Sequence, residues 1–207
     1  MFAREFECPS CGAPMIQKTP GAKVLGCTYC GQTSMINADS LQAVGEQHLL
    51  IDYGSALSIG QSGQFEERDF LILGRLRINY KDGFWDEWFI QFMDDGEEAW
   101  IQEDDGSFML FREMDSGVQI PDFATIPVGQ TISLSTGHQL FVTSKSRAQV
   151  DGGEGELPFI VKRGDPADFI EGIAVGKREV ISIEVLPGET HAFIGYPFKL
   201  QELSLQS

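Results

Sequence analysis

The amino-acid sequence predicts an all-β protein, in which an N-terminal four-cysteine ribbon is followed by two related small antiparallel β rolls or barrels. Three observations support this fold class. The cysteines of the chain occur as two closely spaced pairs near the N-terminus. From residue 54 onward, apolar and polar residues alternate between short turn sequences, which is typical of β-strands. Several short sequences also recur about 70 residues further along the chain, which indicates a duplicated unit.

The ribbon is predicted over residues 1–37 from two C-x2-C pairs that are separated by fifteen residues. These pairs contain every cysteine of the chain, namely Cys8, Cys11, Cys27 and Cys30. A glycine follows each pair, at Gly12 and Gly31, and allows the backbone to turn beneath the sulfur atoms with a positive φ. Four thiolates are a typical ligand set for zinc and leave no coordination position for water. The spacing therefore predicts a structural zinc ion rather than a catalytic one.

Two other uses of the cysteines remain open from the sequence, namely two disulfide bonds and an iron–sulfur cluster. Residues 1–7 contain no apolar run behind a basic start, so a secretory signal is not expected. We therefore expect a cytoplasmic protein with reduced thiols, in which zinc is the favoured ion. A piece as short as residues 1–37 cannot bury a core of its own, so its folding should depend on the metal.

The acidic charge of the chain is carried by the part that follows the ribbon. The net charge is −16, and residues 1–37 hold three basic and two acidic residues, which leaves −17 for the remainder. An acidic surface repels phosphate, and the nearly neutral ribbon lacks a basic stripe, so nucleic acid is not the expected partner. No apolar stretch reaches the roughly 18 residues of a membrane span. We expect instead a protein partner of basic charge, or a polyamine.

The first roll is predicted over residues 54–114. Its strand from Phe70 to Tyr80 alternates, so the apolar side chains are expected on one buried face and Arg75 and Arg77 on the solvated face. Three Asp-Gly turns follow, at residues 82–83, 95–96 and 105–106. Successive turns of this type predict an antiparallel meander.

The second roll is predicted over residues 128–203, because landmarks of the first roll recur there at an offset of 69 to 71 residues. Ile59-Gly60-Gln61, for example, is matched by Val128-Gly129-Gln130. Residues 115–127 contain two prolines and are predicted to link the rolls.

The segment between the ribbon and the first roll, residues 38–53, is predicted as a connector. Asp39 and Ser40 precede a pattern that allows one short helix, but Gly45 weakens that pattern. Leu49 begins an apolar run that is equally consistent with a strand. The sequence leaves both possibilities open.

Two kinds of side chain in the rolls are candidates for function. Glu87 and Glu156 occupy equivalent positions of the predicted repeat, so pseudo-symmetric packing could place two carboxylates in one cleft. Trp85 and Trp88 are three residues apart in a strand and face opposite sides, so one ring is expected to be more exposed. With Trp100, these residues form a candidate binding surface for a basic peptide or a polycation. Packing between the two rolls is the alternative use of the rings.

The sequence contains no familiar catalytic motif, such as a nucleophile elbow, an H-E-x-x-H helix or a phosphate-binding loop. Its three histidines are scattered, and the cysteines are assigned to the metal. No catalytic residue is predicted, and we expect a non-enzymatic adaptor or binding module. Two alternatives stay open: an enzyme of unknown class that uses Glu87 and Glu156, and docking of the ribbon on nucleic acid.

Four short sequences of the β region carry a family resemblance: Ile72-Leu73-Gly74-Arg75, Trp85-Asp86-Glu87-Trp88, Ala99-Trp100-Ile101 and Gly153-Glu154-Gly155-Glu156-Leu157-Pro158. In combination they resemble the bacterial family called domain of unknown function 4178, over roughly residues 54–203. Similar members often begin with a cysteine ribbon. The resemblance implies no activity and no catalytic residues. The gene neighbours of the family imply a link to polyamine-related or membrane-stress systems.

Overall fold

The computed structural model describes residues 2–114, 118–186 and 189–206. These residues form strands and loops with two short 3-10 turns, at Phe123–Thr125 and Leu200–Glu202, and they contain no α-helix. The all-β prediction is therefore confirmed. In chain order the strands are β1 (Arg4–Glu7), β2 (Pro14–Gln17), β3 (Val24–Gly26), β4 (Thr33–Asn37), β5 (Ser40–Val44), β6 (Ser62–Phe65), β7 (Arg68–Tyr80), β8 (Gly83–Phe92), β9 (Glu98–Asp104), β10 (Ser107–Glu113), β11 (Thr131–Ser133), β12 (Gln139–Ser146), β13 (Ala148–Leu157), β14 (Asp168–Ala174), β15 (Val180–Leu186), β16 (Glu189–Phe198) and β17 (Ser204–Leu205).

Most of the strands belong to one antiparallel sheet, whereas β1 and β2 form a separate hairpin. Across the sheet the strands follow the order β11-β12-β14-β15-β16-β10-β9-β8-β7-β13-β3-β4-β5, and β6 and β17 pair beside β7. The strands of the two predicted rolls meet where β10 pairs with β16 and where β7 pairs with β13. Of the predicted rolls or barrels, the barrel is wrong, because the sheet is not closed: the end of β13 pairs with ribbon strand β3.

The largest part of the core lies where the sheet curves and its two halves face each other. The ring of Trp85 on β8 lies edge-on to that of Phe169 on β14, with the ring centroids 4.9 Å apart. Trp100 on β9 stacks on Phe159, which follows β13, at 5.5 Å. Further apolar clusters cover the outer face of each half. The sheet is therefore buried on both faces over much of its area.

The meander predicted from the Asp-Gly turns is confirmed. β7 and β8 are joined at residues 81–82, β8 and β9 at residues 93–97, and β9 and β10 at residues 105–106. Asp105 has a φ of 45° and Gly106 a φ of 76°, the left-handed conformations that a two-residue hairpin turn requires. These turns depend on local backbone preferences, which explains why the sequence reveals them.

The faces of β7 differ from the prediction in two ways. Phe70 and Ile72 pack in one apolar cluster, whereas Leu76 and Ile78 pack in another on the opposite face. A bulge between Ile72 and Gly74 shifts the register with β8 and exchanges the faces. Arg75 and Arg77 are also not on a solvated face, since both side chains are buried.

The connector contains a strand and no helix. Ser40–Val44 forms β5, which pairs with β4 and extends the sheet, so the short helix considered after Asp39 is wrong. Residues 45–53 are a loop without a strand, and the strand start considered at Leu49 is also wrong. In the predicted linker, residues 115–117 lie outside the described residues. The boundaries proposed for the rolls and linker stay predictions.

Gly60 and Gly129, which correspond in the predicted repeat, make the same kind of backbone hydrogen bond. Gly60 N–H donates to the carbonyl of Ile72 at 2.8 Å, and Gly129 N–H donates to the carbonyl of Val142 at 2.9 Å. Both glycines have a φ near 84°, with values of 85° and 83°. This likeness does not extend to Glu156, because it lies in β13, on the opposite side of β7 from β8.

Candidate metal centre and buried polar groups

The four sulfur atoms of the ribbon converge on one point. All four lie within 4.8 Å of one another. The Sγ atoms of Cys8 and Cys30 are 3.7 Å apart, and those of Cys11 and Cys27 are 3.8 Å apart. A tetrahedral zinc ion with Zn–S bonds of about 2.3 Å holds its sulfurs about 3.8 Å apart. The cysteines therefore form a candidate metal site with room for a single ion of this size.

Two turns with the same geometry hold the cysteines. Gly12 N–H donates to the carbonyl of Cys8 and Gly31 N–H to the carbonyl of Cys27, each at 2.9 Å. The φ angles of the two glycines are 75° and 72°, as the sequence predicted. This backbone conformation suits glycine because it lacks a Cβ atom.

The electrostatics of the four thiols favour a cation among them. Burial, together with the three neighbouring thiols, raises the pKa of Cys30 to about 12, although a backbone hydrogen bond from Gln32 acts in the opposite direction. Burial alone would also raise the pKa of Cys8, but hydrogen bonds from Ser10 and Cys11 outweigh it and lower the pKa to about 7. Four thiolates at this spacing would repel one another, and a metal cation among them would offset that repulsion.

The ribbon is joined to the rest of the sheet through β3 and Glu156. Strand β3 pairs with β13, where Leu25 lies opposite Glu156. The Glu156 carboxylate accepts hydrogen bonds from the N–H groups of Lys18 at 2.7 Å and Thr19 at 2.8 Å, and from the Thr19 hydroxyl at 2.9 Å. A Cβ atom at Gly31 would overlap the backbone of His48, so this knuckle is closely packed as well. Glu156 therefore anchors the ribbon, and its place in a binding surface stays a prediction.

The three tryptophans are all buried. Trp85, Trp88 and Trp100 expose 6%, 2% and 7% of their area. Trp85 and Trp88 lie in different apolar clusters, which confirms that they face opposite sides of the sheet. The expectation that one ring is exposed is wrong, because the outer face of β8 is covered as fully as its inner face. Packing between the two rolls was the alternative use considered for the rings. Trp85 and Trp100 pack in this way, against Phe169 and Phe159, whereas Trp88 lies in the cluster on the outer face.

Glu87 was predicted to lie near Glu156, but it lies beside the carboxyl group of Glu184. Its Oε1 atom accepts a hydrogen bond from Trp85 Nε1 at 2.7 Å, and its carboxyl group is hydrogen-bonded to that of Glu184 on β15. Burial raises the pKa of Glu87 to about 7. Burial and the nearby charge of Glu87 raise the pKa of Glu184 well above its usual value. When one of the two groups is protonated, it can donate that proton to the other.

A buried ion cluster on the outer face of β7 and β8 was missed by the sequence reasoning. Asp86 accepts from Arg75 Nη2 at 2.8 Å and from Arg77 Nε and Nη2 at 2.8 and 2.7 Å. Arg77 also donates to the carbonyl of Ile51 at 2.8 Å, so the loop before β6 covers the cluster. The register pairs Arg77 with Asp86 directly, and this opposition of charges was the available signal.

Comparison with known protein families shows to which family the chain belongs. Residues 58–199 match the family described as Domain of unknown function (DUF4178), and this match covers more than half of the chain. The chain belongs to this family. Neither the comparison with curated proteins nor the comparison with solved structures found a match. The cysteine ribbon lies outside the matched residues, whereas Glu87 and Glu156 lie within them.

The DUF4178 chain thus combines the family domain with a joined four-cysteine ribbon. Among the described residues, no helix has the length and apolar character needed to span a membrane. Glu184 could have been suspected from the sequence, because it stands in the apolar run Val180–Leu186. A run of this kind predicts a strand that is buried on both faces.

The Glu87–Glu184 pair should make the DUF4178 chain less stable at alkaline than at acidic pH. Both pKa values are raised on folding, so the stabilisation is full below about pH 4.5 and is lost as the pH rises through about 7. We expect Glu184→Gln to exceed the wild type in stability at pH 8 by about 1–3 kcal/mol, and to lose this advantage at pH 5. Urea unfolding at both pH values measures the effect, with the exposed Glu46→Gln as the control.

Equal stability of Glu184→Gln and the wild type at pH 8 would contradict this expectation. The same holds if Glu46→Gln reproduced the pH dependence of Glu184→Gln. The comparison separates the buried pair from the general effect of removing one negative charge from an acidic protein.

Proposed function

We propose that this DUF4178 chain is a binding module for a basic protein or a polycation, with a structural zinc ion in its ribbon. The observation that supports it is that acidic side chains stay in excess after the arginines of the fold have been paired. Arg75 and Arg77 are buried around Asp86. Arg68 is held by three carboxylates, those of Asp94, Asp95 and Glu97.

The chain has 31 acidic and 15 basic residues. Among the described residues, four acidic side chains and two arginines are buried, so acidic side chains remain in excess among the others. A surface field of this sign attracts polycations and repels nucleic acid. The closed set of four cysteines supports a structural role for zinc, because it leaves no position for a substrate or water. In a reducing compartment such as the cytoplasm, the thiols stay available for the ion.

The experiment is a titration with a fluorescent 20-residue oligolysine at low and at physiological salt, monitored by anisotropy. We expect saturable binding with a defined stoichiometry that weakens at least tenfold as salt screens the charges. An unrelated acidic globular protein of the same net charge is the control. A single-stranded oligonucleotide tests whether the protein binds a polyanion instead of a polycation. Binding no tighter than that of the control protein, or tighter binding of the oligonucleotide, would overturn the proposal.

A further inference from the structure

A cleft of about 540 Å³ lies between two neighbouring turns at one end of the sheet. One turn joins β7 to β8 and the other joins β9 to β10, and the loop before β6 completes the wall. Three aromatic rings and three aspartates from these segments line it, namely Tyr53, Tyr80, Phe84, Asp82, Asp104 and Asp105. A volume of this order is typical of sites that hold a small ligand.

The three aspartates produce a negative field in the cleft. In the part of the chain that the structure describes, no basic nitrogen lies within 4 Å of the carboxylate oxygens of Asp82, Asp104 or Asp105. The charge of Asp104 is the main cause that raises the pKa of Tyr80. Burial of the ring and the charges of Asp82 and Asp105 raise it in the same direction. Their charges therefore converge on the same part of the cleft. A positively charged ligand group would compensate them.

The other charged residues of the wall are already engaged. Arg75 lines the cleft, but its guanidinium is 2.8 Å from Asp86. Glu103 accepts hydrogen bonds from the Ser55 hydroxyl at 2.6 Å and from Trp88 Nε1 at 2.9 Å. An anion at Arg75 would have to displace Asp86 and would face the surrounding carboxylates. The cleft is therefore suited to a cation.

The aromatic pair in the wall already contacts one cation of the protein. Tyr53 and Phe84 stack with their ring centroids 4.9 Å apart. The Arg77 guanidinium carbon lies 4.9 Å from the Tyr53 centroid and 4.2 Å from the Phe84 centroid. Tyr53 nevertheless remains 65% exposed. The exposed part of this ring is available to an apolar chain or to a second cation.

We propose that this cleft binds a primary alkylammonium group, either on a lysine side chain of a partner or on a free diamine. The three N–H donors of an ammonium group can be shared among three carboxylates. The alkyl chain behind it would lie against the exposed ring of Tyr53. This inference rests on the proposed function for the sign of the partner's charge, and it adds the location and the ligand group.

The experiment compares two double variants by isothermal titration calorimetry with 1,5-diaminopentane and with Nα-acetyl-lysine N-methylamide. The cleft variant carries Asp104→Asn and Asp105→Asn. The matched control carries Asp94→Asn and Asp95→Asn in the preceding Asp-Gly turn, outside the cleft, with the same change of charge. We expect the cleft variant to bind at least tenfold more weakly and the control to change less than threefold.

Asparagine accepts the left-handed backbone of residue 105, so the cleft variant should keep its turn, and thermal unfolding checks this. A second variant, Tyr53→Ala, should also weaken binding, because it removes the exposed ring without a change of charge. Tighter binding of the diamine identifies a free polyamine as the source of the ammonium group, and tighter binding of the lysine derivative identifies a partner protein.

The outcomes distinguish this inference from the proposed function. If oligolysine binds but neither small amine does, the cleft site is overturned and the binding module stands. Equal losses of amine affinity in the two double variants would also overturn the site. They would indicate that the amine responds to the negative charge of the whole protein and not to the cleft. Tetramethylammonium binding as tightly as the diamine would contradict the primary ammonium. If no cation binds, both proposals fail.

Discussion

Removal of the ribbon metal is expected to lower the free energy of unfolding of the whole chain by several kcal/mol. The ribbon alone has a small apolar cluster of Cys8, Met15, Leu25 and Cys27, so without the ion it cannot stay folded. Its loss would leave the edge of β13 without β3 and the buried Glu156 carboxylate without its three hydrogen bonds. An unpaired buried carboxylate is costly, so destabilisation spreads beyond the ribbon.

This prediction is measured by thermal unfolding of the zinc-loaded protein with and without a chelator, after elemental analysis has identified the bound metal. Cys27→Ser should lower the melting temperature in the same way and should no longer respond to the chelator. Ser10→Ala is the matched control, since Ser10 lies in the first knuckle and donates to Gln32 without being a ligand. A chelated protein that loses its ribbon but keeps the melting temperature of its β domain would contradict the expected coupling.

Asp86→Asn is expected to destabilise the chain by about 3–5 kcal/mol, the usual cost of removing one partner from a buried ion pair. Asp86 makes close contacts to both Arg75 and Arg77, whose side chains expose 6% and 2% of their area. Asparagine keeps the shape but removes the charge and one acceptor oxygen, so the two guanidinium groups face each other in a buried site. The carbonyl of Ile51 is a neutral acceptor and cannot replace the carboxylate.

The matched control is Asp94→Asn, which makes the same chemical change at an arginine on the protein surface. Asp94 pairs with Arg68, but more than half of the Asp94 side chain is exposed, and Asp95 and Glu97 also bind Arg68. Water and the remaining carboxylates therefore compensate the loss, and we expect a much smaller effect. Urea unfolding measures both variants. A loss for Asp86→Asn no greater than that for Asp94→Asn would show that the buried cluster is not structurally important.

Local signals of the sequence predicted the ribbon and the meander. The two cysteine knuckles need only a short spacing and a glycine in each turn, and all four sulfurs meet as expected. The hairpin turn at Asp105 and Gly106 likewise depends on two adjacent residues. These features are determined within a few residues of chain, so the sequence shows them directly.

Features that depend on contacts between distant residues were predicted poorly. A single extra residue in β7 exchanges its faces after Ile72, and alternation cannot reveal where a bulge occurs. Arg75 and Arg77 look like solvated residues until the loop containing Ile51 covers them. Glu87 was paired with Glu156 through the predicted repeat, whereas the curvature of the sheet brings it to Glu184.

The sequence by itself therefore determined the fold class, the cysteine site, the family and the acidic character of this chain. Only the tertiary structure decided which of the charged and aromatic residues are available to a partner. It buries all three tryptophans and leaves Tyr53 exposed beside Asp104 and Asp105. The physical reason is that metal-ligand spacing and turn conformation are properties of short segments. Burial instead depends on which distant strand or loop covers a face. The exposure of a charged or aromatic side chain in the folded protein is therefore not determined by the residues next to it in the chain.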